Sequence, residues 1–208
     1  MLENISMTIQ ADSIRFGEVV ESSIEQLEIQ CYQIYESPAL GALVRTGDIN
    51  SPQGAIYGVV SGIETSSLDP SRRPITHGSD AHTEEEVHLE NPQIAQLLRT
   101  HVRLIIVGHG HESTINQYLP PLPPKLYAFA YTCSVEEVQR FTENFDFLSL
   151  LVKANFIAVD EVIAATLRQA SFVNAQPDQF LIQAGRVIAS ILGGDMARLN
   201  SILKRLPL

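Results

Sequence analysis

Alternating apolar and polar positions dominate the first 132 residues of the chain. In residues 26–34, Leu27, Ile29 and Cys31 share one face, and mainly polar side chains occupy the other. This alternation is typical of a strand with one buried face. Similar apolar or β-rich runs predict further strands at residues 13–20, 39–46, 54–63, 102–108 and 125–132.

Glycines interrupt several of these predicted strands, at Gly17, Gly41, Gly58 and Gly62. A glycine inside a strand often marks a bulge or a sharp bend at a barrel corner. Six short, kinked strands favour a closed barrel, because closure removes exposed sheet edges. We therefore predict a small six-stranded closed β-barrel over residues 10–132.

One long interruption separates the fourth predicted strand from the fifth. Residues 65–100 are polar and acidic, and we predict a long inserted loop there, of which residues 65–90 are expected to be mobile in the free protein. A short helix is expected at residues 91–100, because Pro92 can occupy its first turn.

The pattern changes to a helical period from Ser134 onward. Ser134 and Glu137 form a capping-box pattern. Helices are predicted next at residues 146–153, at 160–173 and from 178 to the glycine pair that starts at Gly193, and Asp195 can cap the last one. The predicted fold is thus α+β, a barrel followed by a helical region at residues 134–208.

Composition and charge narrow the classes of protein. Of the 208 residues, 45% are hydrophobic, a globular value, and no apolar run is long enough to cross a bilayer. The first residues do not resemble a signal peptide, so we expect a soluble, cytoplasmic protein without membrane insertion.

Cys31 and Cys133 are expected to be buried free thiols, a disulfide or redox pair being the alternative. The net charge of -10, without a basic cluster, argues against direct binding of nucleic acid.

Histidines are the candidate metal ligands. His77 and His82 lie in HGSDAH, and His109 and His111 lie in GHGHE. Imidazoles near carboxylates can bind zinc or a similar ion. The competing interpretation is that they are solvent-facing loop histidines, and the spacings H-E-x-x-H and C-x-x-C are absent. We therefore expect no bound metal or other cofactor, and keep the four histidines as the alternative.

Motifs for other chemistry are missing as well. Residues 108–114 hold glycines and hydroxyls but no lysine for a phosphate, and no G-x-S-x-G occurs. We expect no nucleotide hydrolysis and assign no catalytic residue. Tyr127, Phe129 and Tyr131 are predicted to share one face of a strand. They could stack bases, but the net acidity favours a barrel core or a surface that faces a partner.

Three stretches together resemble the HAS-barrel family: FGEVVESSIEQLEIQCY, ALGALVRTGD and GAIYGVVSGIET. This barrel occurs in HerA-type DNA translocases and in ring subunits of ATP synthases, and the whole chain is similar to stand-alone HAS-barrel proteins of cyanobacteria. In the translocases and ring subunits a RecA-like ATPase follows the barrel. Here only helices follow, so the resemblance implies barrel packing or partner docking and no catalysis.

The leading expectation is a non-catalytic adaptor or assembly factor, whose barrel docks onto a protein partner such as a ring ATPase. One alternative is a metal-binding protein or metal-dependent hydrolase that uses the histidines, and a weaker one is an accessory factor in DNA processing. The helical region carries many apolar side chains, from Phe172 to Leu203, that need cover. We therefore also expect a homo-oligomer.

Overall fold

The computed structural model describes residues 12–51, 54–69, 71, 74–76, 79–80, 82–112, 114–155 and 158–207. Seven strands occur in the described chain: β1 (Arg15–Ser22), β2 (Gln26–Cys31), β3 (Leu43–Gly47), β4 (Ala55–Ser67), β5 (Leu98–His111), β6 (Thr114–Asn116) and β7 (Phe129–Thr132). Its helices are α1 (Glu84–Glu90), α2 (Ile94–Leu97), α3 (Val135–Phe141), α4 (Leu148–Lys153), α5 (Val159–Val173), α6 (Pro177–Leu192) and α7 (Met196–Leu203).

Six of the strands form a closed antiparallel barrel, as the sequence predicts. The order is β2-β1-β7-β3-β4-β5, and pairing of β2 with β5 closes the ring. The short β6 pairs only with the end of β5. Within the long β4–β5 pair the register shifts at Tyr57/Gly58 and at Val60/Gly62. Two of the predicted strand glycines therefore lie at irregularities, where a missing side chain eases the bend.

The predicted alternation in β2 is confirmed. Leu27, Ile29 and Cys31 point into the barrel and are buried with the inward side chains of the other strands. These include Val19, Val44, Val60, Val102, Leu104, Ile106 and Ala130. Both cysteines are free and buried, as expected.

A second core lies outside the barrel, where the helices cover the β3–β4–β5 wall. Leu43, Tyr57, Val59, Ile105 and Val107 point outward from this wall into one apolar cluster with the helices. Both faces of β4 and β5 are buried over this stretch. This explains why residues 104–107 read as a continuous apolar run rather than an alternating one.

Close packing of α5 on the barrel depends on Gly41. Its φ of +81°, and an added Cβ that would lie 2.5 Å from the backbone nitrogen of Thr166, leave space only for glycine. Gln169 of α5 donates from Nε2 to the Leu40 carbonyl at 2.6 Å and fixes the same contact. The helical region and the barrel therefore share a core.

The helical predictions are confirmed apart from small shifts of their ends. Ser134 and Glu137 form a complete capping box on α3, and Asp195 caps α7 by accepting from the Arg198 nitrogen. Gly193 ends α6 in the left-handed conformation at φ 58°. No helix in the described parts of the chain is long and apolar enough to cross a membrane.

Four predictions in the barrel half were wrong in detail. The strand predicted at residues 39–46 begins only at Leu43, after Gly41 with its φ of +81°. The loop predicted at residues 65–100 is shorter, because β4 reaches Ser67 and β5 begins at Leu98; it contains α1, which was missed, and α2. The helix predicted at 91–100 covers only Ile94–Leu97. The last strand begins at Phe129 rather than at residue 125, because Tyr127 has a φ of 64° that breaks the extended backbone.

The structure buries five of the ten apolar side chains that prompted the homo-oligomer expectation, and four more are partly buried. Phe180, Leu181, Ile188, Leu199 and Ile202 are buried, and Phe172 remains 65% exposed. Packing on the barrel and on neighbouring helices covers part of the surface that the sequence argument assigned to a second copy. Self-association stays a prediction.

Candidate functional site

Three of the four candidate histidines lie in the described chain, and they are not part of a metal centre there. His109 is engaged at both ring nitrogens: Nδ1 lies 3.2 Å from the Tyr118 carbonyl and Nε2 lies 3.4 Å from Asn116 Nδ2. His111 is exposed at the end of the same strand, and His82 is exposed in the separate segment before α1. His77 lies outside the described residues. No group of three or more His, Cys, Asp or Glu among the residues with described positions could hold a metal ion.

The glycine-bearing stretch at residues 108–114 is not a phosphate loop. It forms the end of β5 and a tight return into β6, with Glu112 at a φ of 54°. A phosphate-binding loop leads from a strand into a helix, whose N-terminal N–H groups face the anion. Here a second strand follows instead, with Gly110 paired with Ile115.

The side of the barrel formed by β2, β1 and β7 has a different surface from the helix-covered side. We call the outward side chains Arg15, Glu18, Tyr32, Phe129 and Tyr131 the open wall. Tyr32 and Phe129 keep 50% and 43% of their surface exposed. On the other side of the barrel, the outward-facing Tyr57 and Val59 are buried under the helices.

Arg15 joins the two exposed rings of the open wall. Its guanidinium carbon lies 4.6 Å from the centroid of the Phe129 ring and 5.6 Å from that of Tyr32. The Tyr32 hydroxyl donates to Glu18 Oε1 at 2.9 Å, which fixes the ring from its far end. Strands β1 and β7, with the residue that follows β2, thus hold a layer of two aromatic rings and a planar cation in a defined geometry.

A second arginine ends the open wall beside the helices. The Arg45 guanidinium lies 4.6 Å from the centroid of the Tyr131 ring and donates from Nε to Glu137 Oε1 at 2.6 Å. Glu137 also accepts from the Ser13 hydroxyl and from the Ser134 backbone nitrogen. One capping carboxylate therefore ties the start of α3 to the barrel, and we assign Arg45 and Glu137 a structural role.

The sequence pointed to part of this surface and missed the rest. Phe129 and Tyr131 do lie on one face of β7 and point away from the barrel core, so the core interpretation was wrong for them and the surface that faces a partner stays a prediction. Tyr127 lies before the strand and is 74% exposed. Arg15 and Tyr32 were not anticipated as a site, since they are 17 positions apart in the printed chain and no spacing rule connects them. Only the antiparallel pairing of β1 with β2 brings them together.

The two cysteine thiols are buried and do not take part in the candidate surfaces. Burial raises the pKa of the Cys31 thiol to about 11 and the pKa of Cys133 well above its ordinary value. Neither thiol forms a reactive thiolate near neutral pH.

No protein-family model matches the chain, and no curated protein matches it significantly.

Proposed function

We propose that the chain is a non-catalytic adaptor that binds a partner protein through the open wall. The observation that carries this proposal is the exposed Tyr32–Arg15–Phe129 layer on the side of the barrel away from the helices. Tyrosine, phenylalanine and arginine are enriched at protein–protein interfaces, and tyrosine and arginine are frequent hot spots.

The energetics of the Tyr32–Arg15–Phe129 layer support a role in binding a partner rather than in stabilising the fold. A guanidinium between two rings gains attraction from both, and the gain grows when a partner removes water from around it. The rings are held by strands and have few free torsions, so little conformational entropy is lost on association. The alternating charges of Arg15 and Glu18 add polar contacts that set the orientation of a partner.

The first partner to test is a ring ATPase that carries a HAS-barrel of its own. The resemblance of this barrel to that family supports the choice, because such barrels pack side by side. A second copy of this chain is the competing occupant. Light scattering of the purified protein across concentrations distinguishes self-association from a requirement for a different chain.

The experiment places a photo-crosslinking amino acid at position 129 in the native host. The same group at Leu122, which is 73% exposed on the proline-rich loop, is the control. The proposal expects one predominant crosslinked protein from position 129 and not from 122. Equal labelling from both positions contradicts a dedicated face.

Affinity measurements with the purified crosslinked partner then test the mechanism. Arg15→Ala and Phe129→Ala should each cost about 2 kcal/mol of binding free energy, roughly a 30-fold loss of affinity. Tyr118→Ala removes an aromatic ring that is 60% exposed and packs on His109, outside the open wall, and should leave binding unchanged. Parental affinity for both open-wall variants would show that this surface is not the interface.

A further inference from the structure

An apolar groove lies at the far end of the long β4–β5 pair. It encloses about 720 Å³ between the strand ends, the β2–β3 connection and α1. Its lining is mainly apolar or aromatic and includes Tyr35, Leu68, Ile75, Val87, Ile94, Leu97 and Leu98. The volume lies within the range of roughly 300–1,000 Å³ that is typical of ligand clefts.

The described side chains of this chain leave the groove exposed. Tyr35 is 57% exposed, Leu97 55% and Leu68 40%. Several large apolar side chains that share one concave surface are uncommon on a protein without a partner at that place. This distinguishes the groove from a single exposed leucine, which has no special meaning.

Backbone hydrogen bonds fix the groove in its shape. The Leu68 nitrogen donates to the Leu97 carbonyl at 2.7 Å, which extends the strand pairing into the groove wall. The Tyr35 nitrogen donates to the buried Thr100 hydroxyl at 2.8 Å, and the Tyr35 ring meets the His88 ring edge-on at 5.8 Å. A ligand would therefore meet a largely formed site and lose little free energy in ordering it.

The segment that supplies part of the groove lining is acidic in sequence. Residues 65–90 contain six carboxylates and two arginines. Asp69 lines the groove, and hydrogen bonds from Ser71 lower its pKa, so it carries a negative charge at neutral pH. Glu85 and Glu90 are exposed on α1, which forms one wall. Among the described residues, His88 is the basic side chain of the lining, and Arg99, which follows the lining residue Leu98, donates to Gln30.

We propose that this groove binds a basic amphipathic helix of a partner protein. Leucine-like side chains spaced three and four positions apart would occupy the apolar floor, and lysines or arginines on the flanks would face the carboxylates. A second copy of this chain fits poorly, because its net charge of -10 opposes an acidic rim. An anionic membrane surface is repelled for the same reason. This surface is separate from the open wall, so the proposal does not depend on the proposed function.

Two synthetic helical peptides test the charge and the shape. Both carry leucines at the same positions, and the remaining surface is lysine-rich in one and glutamate-rich in the other. Fluorescence anisotropy with the full chain should show saturable binding of the lysine peptide and at least a tenfold weaker interaction of the glutamate peptide. Higher salt should weaken the first interaction. The absence of saturable binding, or equal binding of both peptides, overturns the proposal.

A matched pair of leucine variants locates the site. Leu97→Ser removes an apolar side chain from the groove and should weaken the lysine peptide about tenfold. Leu89→Ser changes a residue of α1 that is 79% exposed and does not line the groove, and should have no effect. Thermal melting confirms that both variants fold. Equal losses in both variants, or none in Leu97→Ser, contradict binding in the groove.

Discussion

Val59 and Val60 are neighbours on β4 whose side chains belong to two different cores. Val59 points outward and packs in the cluster between barrel and helices, whereas Val60 points into the barrel. Both are fully buried, with 0% of their surface exposed. Simple alternation predicts that one of two adjacent strand residues faces water. Truncating each in turn therefore tests whether the helices seal the barrel wall in solution.

The expected cost follows from the buried groups that each truncation removes. Val→Ala deletes two methyl groups, each worth about 0.8 kcal/mol on burial, and the unfilled cavity adds to this. We expect Val59→Ala and Val60→Ala to lower the free energy of unfolding by about 2–3 kcal/mol each. Val59→Asp or Val60→Asp buries an unpaired carboxylate at a cost of several kcal/mol, close to the whole stability of a domain, and should prevent folding.

Equilibrium unfolding in urea measures the effect, with Ile63→Ala as the control. Ile63 lies on the same strand but is 43% exposed, so its truncation should cost clearly less. An unchanged urea dependence would show that the unfolded state is unaltered. The melting temperature should fall by about 4–12 °C for each valine variant. If Val59→Ala costs no more than Ile63→Ala while Val60→Ala costs the full amount, the helices do not cover this wall and the second core is wrong.

Three further predictions concern a glycine, a cap and a thiol. Gly41→Ala should lower the free energy of unfolding by about 3 kcal/mol or more, because the new methyl group meets the backbone of Thr166. Gly193→Ala has open space and should cost only about 1 kcal/mol, for its left-handed backbone. Equal costs would refute the close contact with α5. Ser134→Ala should cost about 1 kcal/mol in chemical unfolding through loss of the capping box, and no change would mean that the α3 cap is not formed. Burial raises the pKa of Cys31 from 9.0 to about 11, so its contribution to stability is present below pH 9 and is lost as the pH rises from 9 to 11. Alkylation of this thiol at about pH 8 should be much slower in the native protein than in urea. Equal rates would contradict its burial.

The periodicity of the chain was sufficient for the fold class. Alternation in β2 places Leu27, Ile29 and Cys31 inside the barrel because successive strand side chains point to opposite faces. The helical repeat and the local signals at Ser134, Gly193 and Asp195 located the last helices within a few residues. Such helix start and stop signals depend on residues that are close in the sequence, so they can be recognised without knowledge of the tertiary structure.

The lengths of β4 and β5 could not be obtained in this way. Their outer ends, from Glu64 to Ser67 and from Leu98 to His101, are polar or mixed in sequence and show no apolar face. They extend because each backbone finds the other as a hydrogen-bonding partner, with Ser67 opposite Leu98. Strand pairing is a long-range property that the pattern of one segment does not contain. The groove beyond these ends was therefore not predicted either.

The candidate surfaces depend on the tertiary structure in the same sense. An outward Val59 and an outward Phe129 occupy equivalent positions in their strands, but the helices cover the first and leave the second exposed. The sequence determined that the helical region has apolar faces to bury, and only the packing of α5 on Gly41 decided which side of the barrel receives them. The pairing of β1 with β2 and with β7 then placed Tyr32, Arg15 and Phe129 side by side on the other side.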